Sequence, residues 1–268
     1  MIRFALASCL VLAAGIGAAS AQSRDVYTVG DIEVETSGAD VIAAQQSAFS
    51  QARQEGANRM IARLTLPQDR SGVSVDAATA ERLAAAVDIE EETRGGGKYV
   101  GKLAVVFNPA NVRDYLTRRG IPYIDRQAPK ALIITTSSGG EGYSWNAAWP
   151  EKSSGHLAPY IPSREVGRSP DSSWGSLAPD VRVNGAERAV IAQLQGAQGA
   201  FSVKLTSVTA AGAFDLGTTR SVPTMEDAVN VASDLMDERW KETAIIRSKD
   251  RTRVESTVLY TSLAEWNT

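Results

Sequence analysis

The sequence predicts an α+β protein, with a ferredoxin-like (split βαβ) N-terminal domain on an antiparallel sheet and a second α+β domain after it. Three observations predict this. Segments with apolar residues at alternate positions are interleaved with longer ones whose apolar residues recur every three to four. Over residues 25–136 the order is strand, helix, hairpin, helix, strand, which is the split βαβ order. A chain with 43% hydrophobic and 22% charged residues also has the composition of a packed core rather than a disordered polymer.

Residues 26–35 read as a strand with a change of phase: Tyr27 and Val29 lie on one alternation, Ile32 and Val34 on the other. A bulge at Gly30 would return both pairs to one face. Ser37 or Asp40 can start a helix to about Arg63, with a stripe of Val41, Ala44, Ala48, Phe49, Ala52, Gly56 and Met60. The small side chains let this helix lie close to a sheet, which offsets the roughly 1 kcal/mol that Gly56 costs inside a helix. Residues 77–87 read as a short Ala-rich helix. A hairpin of residues 88–93 and 99–107 turns about Gly95-Gly96-Gly97. Asn108, Pro109 and Gly120 mark the start and end of the next helix. Residues 121–124 and 131–135 read as extended.

Residues 137–180 form a Gly/Ser/Pro-rich loop without periodicity, through which Tyr143, Trp145, Trp149, Tyr160 and Trp174 are scattered. The second domain spans residues 181–262 and is completed by strand 131–135. A helix capped by Asn184 and carrying Ala186, Val190, Ile191 and Leu194 opens it. A hairpin of residues 201–208 and 213–219 follows. Thr224 then starts a helix with a stripe of Met225, Ala228, Val229, Ala232, Met236 and Trp240, and residues 254–260 form a last strand before a tail at 263–268.

The first 21 residues read as a cleavable secretory signal: Arg3, an apolar run over 4–16, and the small-x-small site Ala19-Ser20-Ala21 before Gln22. Cleavage after Ala21 places the protein in the periplasm. Leu6-Ala7-Ser8-Cys9 imitates a lipoprotein box, but the apolar run continues past it. No later apolar run is long enough for a transmembrane segment.

The composition also excludes chemistry. One His and one Cys rule out a His/Cys zinc site and a disulfide framework, and a formal charge of −3 gives no general attraction for nucleic acid. No metal, cofactor or catalytic residue is expected.

Several segments resemble a known family: Ala57-Asn58-Arg59-Met60-Ile61-Ala62-Arg63-Leu64-Thr65, then Val105-Val106-Phe107-Asn108 with its helix to Gly120-Ile121-Pro122, then residues 126–135. Together they are similar to the domain of unknown function 2066 family of exported proteobacterial proteins. Trp145 to Trp149, followed by Leu157-Ala158-Pro159-Tyr160-Ile161-Pro162, is similar to that family's Trp-containing loop. The resemblance brings no catalytic residue. Gln127-Ala128-Pro129 departs from it, lacking a basic residue before the proline. Residues 262–268 resemble the opening of a further module in relatives, so the chain reads as a shortened member.

Candidate chemistry is sparse. His156 sits near Ser153, Ser154 and Glu151, yet no Gly-x-Ser-x-Gly elbow surrounds either serine. The acids Asp88, Glu90, Glu91 and Glu92 suit a protected strand edge, and Glu226, Asp227, Asp234, Asp237 and Glu238 suit a solvated helix face. Gly139-Gly140-Glu141-Gly142 lacks the ending of a phosphate loop. Tyr143, Trp145, Trp149, Tyr160 and Trp174 are the candidate partner-binding residues, because indoles in a polar loop suit recognition; otherwise they staple the loop to the sheet. The expected function is a non-catalytic binding or adaptor module of the cell envelope, with an envelope protein or peptide as partner. The alternative is a hydrolase of glycan or peptide that uses paired carboxylates.

Overall fold

The computed structural model describes residues 26–153 and 155–247. The expected signal at 1–21, strand at 254–260 and tail at 263–268 lie outside these residues.

The first sheet has three strands: β1 (Thr28–Ser37), β2 (Ala84–Gly95) and β3 (Lys98–Phe107). The order is β1-β3-β2 and all pairing is antiparallel. The register of β1 against β3 shifts between Val29 and Ile32, which turns Tyr27, Val29, Ile32 and Val34 all inward. The residue that takes the left-handed backbone is Asp31, at φ 55°, rather than Gly30. β2 and β3 meet at Gly96 and Gly97, whose φ values of 56° and 73° suit a two-residue hairpin turn.

Helix α1 (Val41–Leu64) starts where the Asp40 side chain accepts the Ala43 N–H at 2.8 Å. It buries Ala44, Ala48, Ala52, Gly56 and Met60 along one stripe. A Cβ at Gly56 would come within 3.1 Å of Ile32 and 3.2 Å of Phe107, so the helix lies almost against the sheet. α2 (Ala77–Leu83) is shorter than expected because residues 84–87 already belong to β2. α3 (Pro109–Arg118) has the expected Asn108 cap, and Gly120 ends it at φ 65°.

The strand expected to complete this first sheet pairs elsewhere. β4 (Ala131–Ser137) lies in a second, five-stranded sheet of order β5-β4-β6-β7-β8. Its other members are β5 (Tyr160–Pro162), β6 (Arg188–Ala197), β7 (Ala200–Thr209) and β8 (Gly212–Thr218). The sheet is mixed: β4 is parallel to β5 and β6, and the rest pair antiparallel. The segment expected as a helix after Asn184 is therefore strand β6. Ala189 to Ala192 are all buried because helices cover both sheet faces, so this strand reads as one apolar run instead of an alternation.

The expected loop over 137–180 contains structure of its own. α4 (Gly142–Ala148), β5 and most of α5 (Trp174–Val183) lie in it, whereas residues 121–124 are not a strand. Leu177 and Val181 of α5 cover one face of the second sheet. The other face is covered by Trp145 of α4 and by α6 (Met225–Ala244), which the Thr224 hydroxyl caps through the Asp227 N–H. The far end of α6 crosses to the first half: Ile245 is in the first core, and Trp240 and Ala244 pack against it.

Candidate functional site

A groove of about 2340 Å³ opens where the edge of β1 faces the edge of β5. Each edge is capped at one point by the chain's own side chains. On β1, Arg63 Nη1 donates to the carbonyls of Val26 (2.9 Å) and Thr28 (2.7 Å). On β5, the Ser153 hydroxyl accepts the Tyr160 N–H at 2.9 Å and donates to the Tyr160 carbonyl at 3.3 Å. Pro162 has no N–H to offer. Strand addition, one route by which a sheet edge takes a peptide, is thus blocked on both walls at these positions.

Behind the β5 wall lies a polar line that the sequence conceals. Ser233, Asp237 and Lys241 follow one another at four-residue spacing on α6 and are all buried. Asp237 Oδ1 accepts the Ala158 N–H at 2.7 Å, and Oδ2 lies 3.2 Å from His156 Nδ1. Lys241 Nζ donates to the Ala62 carbonyl at 3.2 Å, near the C-terminus of α1, where a cation suits the helix dipole. Burial pushes the Lys241 ammonium below its usual range, and the Asp237 charge opposes that. The Ser233 hydroxyl donates to the Val229 carbonyl at 2.9 Å and lies 3.4 Å from the Tyr160 hydroxyl.

The partner of His156 is therefore Asp237, not Glu151. Ser153 is occupied with the backbone of Tyr160, and Ser154 lies outside the described residues. The acids of β2 stay exposed on a sheet edge. Among the described residues no group of three or more His, Cys, Asp and Glu is placed to hold a metal ion. No helix among them is long and apolar enough to cross a membrane.

The five aromatic candidates separate. Trp145 is 0% exposed and its indole N–H donates to the Ala192 carbonyl at 3.0 Å. Trp149 is 4% exposed and stacks edge-on between Trp145 and Tyr160, with centroids 5.4 and 5.1 Å apart. Tyr160 is buried, and Trp174 is partly buried against the opposite face of the sheet. Tyr143 alone stands in solvent, at 80% exposure. The aromatic residues of this segment chiefly hold it down on the sheet.

The missed residues, Arg63, Asp237 and Lys241, had one signal in the sequence. Ser233, Asp237 and Lys241 interrupt the apolar face of a helix at regular spacing, which a solvated face does not require. Arg63 had none, since its role depends on where β1 lies.

Comparison with protein-family models and with curated protein sequences finds no match to this chain.

Proposed function

We propose that this protein is an exported, non-catalytic binding module of the cell envelope, and that its ligand sits in the groove between β1 and β5. One observation supports the reading most: the strand edges lining the groove are capped at Thr28 by Arg63 and at Tyr160 by Ser153, which disfavours strand addition there and favours a ligand held by side chains. The wall carries many polar and charged side chains, with an orienting carboxylate behind its imidazole. Export rests on the signal-like residues 1–21, and the periplasm is the compartment that follows from them. Membership of the domain of unknown function 2066 family belongs to the same proposal and rests on the segments quoted for it. So does a ferredoxin-like reading of the first half: β1 and β2 are parallel with β3 between them, and the groove lies at the free edge of β1.

The test uses amide NMR on the full chain without its leader, titrated with envelope fragments: muropeptides, lipopolysaccharide core sugars and short envelope peptides. The reading expects saturable shifts at groove residues such as Asn230, Lys130 and Ser163. Shifts confined to Tyr143 or to the β2 edge would overturn it, as would turnover of any fragment.

A further inference from the structure

One end of the groove differs from the rest. Both hydrogen bonds of the Arg63 guanidinium come from Nη1, and among the described residues Nη2 has no hydrogen-bond partner. Nη2 lies beside Gly155, so close that a Cβ at that position would be 3.0 Å away. Gly155 also has a φ of 75°, which disfavours a side chain. The next residue, His156, lines the groove and directs Nδ1 to Asp237, leaving Nε2 without a partner among the described residues.

The one carboxylate that acts on the Arg63 charge is that of Asp237. Both oxygens of Asp237 are committed, one to Ala158 and one to His156. Two cations, Arg63 and Lys241, feel its single charge. Among the carboxylates lining the groove, Glu165 and Asp180 are tied to Arg168 and Asp31 to Lys102, whereas Glu90, Glu151 and Glu187 line it without an ion pair among the described residues. Lys130, Lys152 and Arg164 line the same groove without an ion pair among the described residues. A partly buried guanidinium edge with an unused donor, sharing one carboxylate with Lys241, is suited to bind an anion.

We propose that Arg63 and His156 form an anion-binding subsite at this end of the groove, which takes a carboxylate or phosphate group of the ligand. The inference rests on the groove being the ligand seat. Arg63 Nη2 donates to one anion oxygen, and His156 adds a second contact when its ring is protonated. A side chain at Gly155 would crowd Nη2.

The chain has a single histidine, so its Hε1 proton is an unambiguous NMR probe. In the chain without its leader, inorganic phosphate and acetate are titrated separately, each against sodium chloride at equal ionic strength. The subsite predicts a saturable shift of the His156 resonance with phosphate, acetate or both, and the lower midpoint identifies the preferred group. Arg63→Gln should weaken that midpoint at least tenfold while circular dichroism stays unchanged. If Arg63→Gln does not fold, the wild-type Arg63 side-chain protons must move with the same midpoint as His156. An equal shift with chloride, no saturation, a shift unaffected in folded Arg63→Gln, or Arg63 protons that stay still would each overturn the subsite. If it fails while envelope fragments still shift Asn230, the groove reading survives it; if the fragments move nothing there, both fall.

Discussion

The Asp237 carboxylate on α6 holds His156 at 3.2 Å, and the two lie 81 residues apart in the chain. The same carboxylate accepts the Ala158 N–H at 2.7 Å. One buried side chain thus fixes the loop that forms a wall of the groove, and it lies beside the Lys241 ammonium that caps α1.

Removing that charge should destabilise the protein. Asp237→Ala leaves the Ala158 N–H without an acceptor and removes the carboxylate that acts most on buried Lys241, at a cost of about 2–3 kcal/mol. Asp237→Asn keeps an acceptor oxygen and should lose less. Urea unfolding of both variants checks this; equal losses would mean that the charge does not matter.

The aromatic segment gives a sharp contrast between neighbours. Trp145→Ala deletes a fully buried indole and its hydrogen bond to Ala192, and should cost about 3–5 kcal/mol. Tyr143→Ala, at the exposed position two residues earlier, should stay within about 0.5 kcal/mol. Thermal melts of the two variants decide whether the segment is anchored as described.

Ser153→Ala should do two things. It strips the hydroxyl from the Tyr160 N–H and carbonyl, costing about 1 kcal/mol. It also leaves the outer edge of β5 unpaired and open to other strands. Light scattering at rising concentration should show self-association that the wild type lacks.

Alkaline pH should unfold the protein through its buried phenols. Burial, reinforced by Asp125, pushes the Tyr27 phenol well above its usual range, and burial raises Tyr160 as well. A folded-state pKa above the unfolded one means stability that is complete below about pH 10 and lost as pH rises beyond it. Lys241 acts in the opposite sense, because its lowered value adds stability as pH climbs toward the usual lysine range. Comparing wild type with Tyr27→Phe isolates the phenol. The variant should lose stability less steeply above pH 10, and a parallel loss would remove Tyr27 as the cause.

Much of the fold was legible because its signals are local. The Asp40, Asn108 and Thr224 caps, the Gly96-Gly97 turn and the phase change at Gly30-Asp31 can each be read from a few adjacent residues. The errors lie where distant segments decide the outcome. Residues 188–197 resemble a helix face only because helices cover both sides of the strand they form. Strand Ala131–Ser137 could join either sheet on its sequence alone, and pairing across long chain separations assigned it to the second. Trp145 and Trp149 sit in a polar stretch that gives no hint of the sheet beneath them. The candidate site was the least legible part. Arg63 and Ser153 act on backbone edges that no motif encodes, and Asp237 resembles the solvated acids of its helix except for its four-residue spacing from Ser233 and Lys241.

The end of α6 carries a consequence for how the molecule can be dissected. Ile245 completes a core built mainly from residues 26–124, and Leu157 enters the same core from the middle of the chain. A cut near residue 127 would therefore release no autonomous half, since the N-terminal fragment would lose these late-sequence plugs and expose their sockets. Calorimetry should record one heat-absorption peak for the intact polypeptide rather than two, and limited proteolysis should yield no stable N-terminal piece.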